Sequence, residues 1–295
     1  MNSRSILSLF CAFYILAFLA YMLLPLCIMG AAAFNTATIP TVSPWKGFTL
    51  EWFSVLFADG ILGSAIFNSF VIALGVIALS IPLGLAGALL LTQMRSRARS
   101  LLYAVMISPI LTPGVIVGIS TLIFWGKLGL SGGMVLTILG QTTFIASFCM
   151  LLFLARLQRF DRSLEEAALD LGASHRQVFF QVTLPFLRPT MLTAACIAFL
   201  QSFENYNTTL FVIGAKNTMT LRIAGMVRLG LTPEINALAV IFICLTVAAA
   251  LAYELRRRAE KHRAASLREA ARREDAAIAG ERTETAVVQA RHLAA

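Results

Sequence analysis

Long runs of apolar residues alternate along the chain with short polar segments that carry most of the arginines. A helix crosses the hydrocarbon core of a bilayer in about 20 apolar residues. Six runs meet that length, at roughly 7–33, 62–93, 101–125, 134–155, 189–213 and 235–254. Five of them hold no Asp, Glu, Lys or Arg before their last residue or two. The fifth contains Glu204. The pattern predicts an all-α fold, a polytopic membrane helix bundle with about six transmembrane helices. The start of the chain, with Arg4 before an apolar run and Ala31–Ala33 as small residues, has the outline of a signal peptide. Its run from Ile6 to about Phe34 exceeds the ~7–15 apolar residues of such a peptide, so it reads as an uncleaved first span.

Orientation follows from the basic residues, which concentrate in cytoplasmic loops. With the N-terminus inside, nineteen Lys and Arg fall on the cytoplasmic side and five outside (Lys46, Lys127, Lys216, Arg222 and Arg228). Without the tail the split is still nine against five. Both termini are therefore expected in the cytoplasm. Glycine and proline recur inside the spans, at Pro82, Gly84, Gly87, Pro109, Pro113, Gly114 and Gly118. Gly114 and Gly118 form a GxxxG, which reads as close helix packing, and the prolines as kinks.

Composition agrees. The chain is 58% hydrophobic and only 13% charged, against about a quarter charged in soluble domains. Its net charge of +9 would suggest a nucleic-acid partner in a soluble protein. Here the charge sits at the ends of apolar runs and reads as topology, so no nucleic-acid partner is expected. All five cysteines lie within apolar runs, with no CxxC or Cys/His cluster, so neither a metal site nor a disulfide is implied. The segment 259–295 is a basic tail rich in Ala, Arg and Glu. It is expected to extend the last helix a few turns and then fray into a solvated or lipid-facing, partly disordered cytoplasmic tail.

The segment between the fourth and fifth runs is the most informative. Ser163 precedes Glu166 by three residues, and Ser174 precedes Gln177 likewise. Each spacing is that of a capping box, which starts a helix by satisfying free N–H groups reciprocally. Gly172 lies between them, where a helix end favours left-handed dihedrals. Pro185 is expected to stop the second helix. Leu164, Ala167, Ala168 and Leu171 recur at helical spacing. An amphipathic connector resting on lipid would explain that face, but a connector could be shorter, and a docking element accounts for more.

The order Glu166-Ala167-Ala168, three residues, Gly172, then Val182, Leu184 and Pro185 resembles the EAA loop of binding-protein-dependent ABC importer permeases. Val182 stands where isoleucine is commoner. Residues 48–59 with Asn68-Ser69, and residues 82–118, are similar to the lead-in and the second and third spans of that family. SFENYNTTLFVIG at 202–214 and LTPEINAL at 231–238 look most like its spermidine/putrescine branch. The resemblance implies three segments: 1–61, a first transmembrane helix and periplasmic connection; 62–258, the permease domain; and 259–295, the tail. It implies a bacterial inner-membrane subunit whose coupling helix docks on a cytoplasmic ATPase through Glu166, Ala167, Ala168, Gly172, Leu184 and Pro185. No GxxxxGK[ST] phosphate loop is present. ATP would be bound by the partner ATPase, and no cofactor is expected in this chain. The implied assembly adds a homologous permease subunit, two ATPase copies and a periplasmic substrate-binding protein.

Glu204 is the only acidic residue inside a run, and Asn205, Tyr206, Asn207, Thr208 and Thr209 follow it. An ionisable residue at membrane depth usually faces a cavity or a partner. Glu204, Asn205, Asn207 and Thr208 are the candidate substrate path, for a polyamine or a related small cationic or zwitterionic solute. Polyamine-type permeases often carry two acidic residues here, and this chain has one. A hydrogen bond within the bundle is the structural alternative for Glu204. A secondary transporter or channel would also suit six spans and a membrane glutamate, but leaves the loop motif unexplained. An intramembrane enzyme is disfavoured, because the only histidine outside the tail is His175, in the loop.

Overall fold

The computed structural model describes residues 3–94, 97–230 and 232–260. The tail expected at 259–295 lies outside the described residues beyond Glu260. Helices account for the described architecture, joined by turns and one isolated bridge between Asn35 and Phe48. In chain order they are α1 (Ser3–Ala32), α2 (Glu51–Ala58), α3 (Gly60–Gln93), α4 (Ala98–Leu111), α5 (Gly114–Lys127) and α6 (Met134–Leu157). Next come α7 (Ser163–Asp170), α8 (His175–Val178), a π-helical stretch (Phe179–Thr183) and α9 (Leu184–Phe203). The last are α10 (Thr209–Val212), α11 (Met219–Leu229) and α12 (Pro233–Glu260).

The 34 residues of α3 make a rod of about 50 Å, longer than the hydrocarbon core, and it organises the bundle. It packs most extensively on α6 and then on α9. Ile72, Val76 and Leu91 of α3, Ile145, Met150 and Phe153 of α6, and Leu187 and Ala198 of α9 share one buried cluster. Lipid tails are as apolar as these side chains, so close contact rather than water exclusion holds such helices together. Gly84 supplies that contact. A Cβ there would meet the Cys149 Cβ at 2.7 Å and the Met150 nitrogen at 2.8 Å.

The two ends of α3 are each tied down. At its start Asp59 Oδ1 accepts from the N–H groups of Ile61 and Leu62, while Oδ2 takes Arg222 Nη2 at 2.9 Å. Burial pushes this carboxyl up, but the Arg222 hydrogen bond, those N–H groups and the Arg222 charge together hold it below its usual range. Between two and three turns further along, Asn68 donates to the Asn217 carbonyl and the Ser69 hydroxyl accepts from Met219 N–H. At the far end Arg162 Nη2 donates to the Thr92 carbonyl at 2.9 Å. Thus α11 and α7 lie at opposite ends of the rod.

Before α2 the chain folds around Asn35, whose buried side chain holds the backbone of Thr41, Pro44 and Lys46. The Trp52 indole donates to the Asn35 carbonyl. By contrast, α1 exposes its side chains from Leu7 to Ile28 and does not pack on the bundle.

Two expected spans differ. The run 101–125 is not one helix, because α4 and α5 meet at 105° across Thr112 and Pro113. Pro113 cannot donate the N–H that would continue α4. The run 189–213 ends as a helix at Phe203, and Glu204 is its cap. Glu204 is therefore at a helix end, not within one.

Candidate functional site

Two regions gather the residues singled out by sequence. The first is α7 with its joint to α9. The Ser174–Gln177 capping box forms, with Gln177 Oε1 2.8 Å from Ser174 N. The Ser163–Glu166 box does not. Ser163 lies inside the helix, and Asp161 Oδ1 accepts from its N–H at 3.0 Å. Hydrogen bonds from the Ser163 hydroxyl and N–H keep the exposed Asp161 carboxyl below its usual range. Asp161 can do this because an aspartate oxygen reaches the N–H two residues on.

Gly172 has φ +86°. Its N–H donates to the Leu169 carbonyl, and that of Ala173 to the Ala168 carbonyl. This paired 5→2 and 6→1 pattern closes the end of α7. Leu164 (53% exposed) and Leu171 (89%) project outward beside the exposed Glu166 and Ala167. Glu166, Ala167 and Leu171 thus share an open surface, while Ala168 is half-buried.

Leu184 and Pro185 are elsewhere, half-buried in the joint. Pro185 does not stop the second helix. The helix runs on from His175 to Phe203. Leu184 N–H bonds back five residues, to the Phe179 carbonyl. A proline inside a regular helix clashes with the carbonyl four residues back, and the wider π turn before Pro185 relieves that clash. The link across this joint was not foreseen: the buried Thr183 hydroxyl donates to Glu165 Oε1 at 2.7 Å. Arg156 of α6 lies over the Phe186 ring, 4.0 Å from its centroid, and braces the same joint. An 18-residue separation carries no periodic signal that would have found the Glu165 pair.

The second region is a cavity of about 340 Å³ where both interrupted helices meet. Thr112 and Gly114 line it from the α4–α5 break, Phe144 from α6, and Gln201 and residues 204–208 from the end of α9. All four path candidates, Glu204, Asn205, Asn207 and Thr208, are on its wall. Their roles differ. Asn205 Oδ1 accepts from the N–H groups of Thr208 and Thr209 and from the Thr209 hydroxyl, so its oxygen is occupied in turning the chain. Gln141, buried on α6, was not foreseen. It donates to Thr209 Oγ1 at 2.8 Å and accepts from Ser202 Oγ, bridging the two sides of the α9 break. Thr208 Oγ1 donates to the Gly114 carbonyl. A Cβ on Gly118 would meet the Thr208 carbonyl oxygen at 2.8 Å, so the GxxxG does mark a close approach.

Glu204 is exposed, and among the described residues no hydrogen-bonding or ionic partner meets its carboxylate. The bundle hydrogen bond considered for it is not formed there. Its charge sits at the C-terminal, negative end of α9, which raises the local preference for a cation. At the rim, Arg228 Nη2 donates to the Tyr206 hydroxyl at 2.7 Å.

Residues 80–255 match the family described as binding-protein-dependent transport system inner membrane component. The chain is 31% identical over 261 residues to the putrescine transport system permease protein PotI of Escherichia coli (strain K12), covering 85% of this chain and 92% of that one. It is 30% identical over 244 residues to the spermidine/putrescine transport system permease protein PotC of Haemophilus influenzae, covering 82% and 94%. Its fold is similar to a chain of a bacterial alginate ABC transporter in complex with alginate pentasaccharide-bound periplasmic protein. The TM-score is 0.64 at 19% identity, over 84% of this chain and 92% of that one. An amino acid ABC transporter with histidines gives a TM-score of 0.52 at 15% identity, over 70% and 98%. The all-α membrane bundle, the matched region and these relatives agree: the chain belongs to the family of binding-protein-dependent transport system inner membrane components.

Proposed function

We propose that this chain is a permease subunit of an ATP-driven importer and forms half of the path for a polyamine or a related small cationic solute. The observation that carries this reading is the unpaired Glu204 carboxylate in a cavity between two interrupted helices. Broken membrane helices expose backbone polar groups that only a cavity or a ligand can satisfy. The names of the polyamine relatives support the same substrate class.

In the working assembly a homologous permease subunit completes the path, a periplasmic binding protein delivers solute, and two cytoplasmic ATPases supply the energy. Glu166, Ala167, Ala168 and Gly172 form the docking surface for one ATPase. Leu184 and Pro185 belong to the joint behind it. Both termini lie in the cytoplasm.

Uptake of radiolabelled putrescine into proteoliposomes holding the assembled complex tests this reading. Glu204→Gln keeps the shape and removes the charge. Loss of a charged hydrogen bond predicts uptake at subsaturating putrescine lower by roughly ten- to hundred-fold, with ATPase association intact. An unchanged concentration dependence per assembled complex would rule out Glu204 as a cation site.

A further inference from the structure

A second cavity, of about 520 Å³, opens at the end of the bundle that carries α7, among the end of α3, the start of α4 and the end of α6. Its floor is formed by Leu91, fully buried, and Leu154. Its rim carries Arg97, Arg99, Tyr103 and Gln158. Among the described residues no carboxylate lines it. Among the described residues neither arginine has an ionic or hydrogen-bonding partner, and both are exposed. Elsewhere this chain pairs basic side chains that sit near carboxylates, as in Arg222 with Asp59 and Arg258 with Glu254. Two unpaired guanidinium groups facing one cavity therefore need another account.

The position supplies one. The cavity lies at the end of α3, the start of α4 and the end of α6, where apolar runs give way to arginines, a pattern expected at the depth of lipid headgroups. Tyr103 is a side chain that favours that depth, with its ring in the apolar layer and its hydroxyl in the polar one. A guanidinium presents a planar fork of donors that matches a phosphate diester. The apolar floor suits the glycerol and first methylenes of a lipid, which a free anion would leave unused. Basic pockets between membrane helices on the cytoplasmic face are suited to anionic headgroups.

We infer that Arg97 and Arg99 hold the phosphate of an anionic phospholipid in this cavity, with Gln158 and the Tyr103 hydroxyl as further donors. The bound lipid would fill the gap between α3, α4 and α6 and steady the start of α4, the helix that leads to the break at Thr112.

The test uses the full assembled complex in nanodiscs, with lipid retention read by native mass spectrometry after delipidation and exchange. The lipids are phosphatidylglycerol and phosphatidylethanolamine in equal amounts. The wild type should retain phosphatidylglycerol preferentially. A contribution of about five-fold per arginine near an anionic surface gives about thirty-fold weaker retention in the double variant R97Q/R99Q. Arg159→Gln, one charge fewer at the same level but off the cavity, should retain lipid as the wild type does. Equal loss in Arg159→Gln would mean diffuse charge alone, and would overturn the site. Displacement of the lipid by millimolar inorganic phosphate or glycerol 3-phosphate would replace a lipid with a soluble anion, again against the inference. Loss of the ATPase from R97Q/R99Q with lipid retention unchanged would make the arginines a protein contact instead.

Discussion

Single side chains carry the chemistry on both sides of the bundle, and their environments set what each can do. Gly172 adopts φ +86°, and nothing lies within 4 Å of where its Cβ would be. The constraint is the backbone conformation, not space. A β-branched residue there costs about 1–3 kcal/mol of local strain. Gly172→Val is therefore expected to remain in the membrane but to lose uptake and ATPase association, measured by co-purification. Normal substrate-stimulated ATP hydrolysis would reduce the loop to a connector. Gly172 was legible in the sequence because a chain reversal between two polar helix starts demands a residue that tolerates positive φ. Glu204 was legible only in part. Its chemistry stood out, but the return of apolar residues at Leu210–Ile213, beyond the polar patch, concealed the helix end at Phe203. Gln141 and Thr183 could not be found at all, since a neutral polar residue among apolar ones looks alike whether it packs, caps or bridges.

Elements were legible wherever the length of an apolar run alone decides. The starts and ends of α3 and α6 fall within a few residues of the expected spans. Breaks were not, because Pro113 and Pro185 obey the same local rule with opposite results. Pro113 ends a helix at a 105° bend, and Pro185 is absorbed by a π turn. The neighbours decide. Gly114 and Gly118 let α5 turn onto residues 207–208, whereas the joint before α9 is held by Glu165 and Arg156. A joint held in this way would move α7 and α9 together. Thr183→Val removes the donor at nearly constant shape and leaves the Glu165 carboxylate without its buried hydroxyl. The expected result is a complex that still assembles and hydrolyses ATP but moves about half as much solute per ATP, or less. Glu165→Gln keeps an acceptor and should preserve more of the coupling. Equal transport per ATP in wild type and Thr183→Val would remove this bond from the mechanism.

At the scale of the molecule, the rod of α3 runs about 50 Å between the proposed docking surface and the Asp59–Arg222 end, more than the thickness of the hydrocarbon. A rod of that length can place its two ends in different compartments, as the proposed assembly requires. Reporter fusions near Arg97 and Gly172 are expected to behave as cytoplasmic, and fusions near Lys46 and Thr218 as periplasmic. A periplasmic signal at Gly172 would reverse the assembly proposed above, since no cytoplasmic ATPase could reach α7. The π turn has a further consequence, which concerns rotational phase. Each residue of a regular helix advances about 100° around the axis. A π turn is wider and takes up one residue more per turn than its length would otherwise hold. Phe179–Thr183 therefore sets the angle between the face of α7 and the wall of the cavity at the far end of α9. One alanine inserted after Val178 should swing that face by about 100° with every docking residue retained, and uptake should vanish while the subunit still inserts. Deleting Gln181 should convert the π turn to a regular one, keep the two faces in phase and spare more of the activity. Wild-type uptake from the insertion variant would mean that the joint swivels freely, and that the angle between its two ends carries no signal.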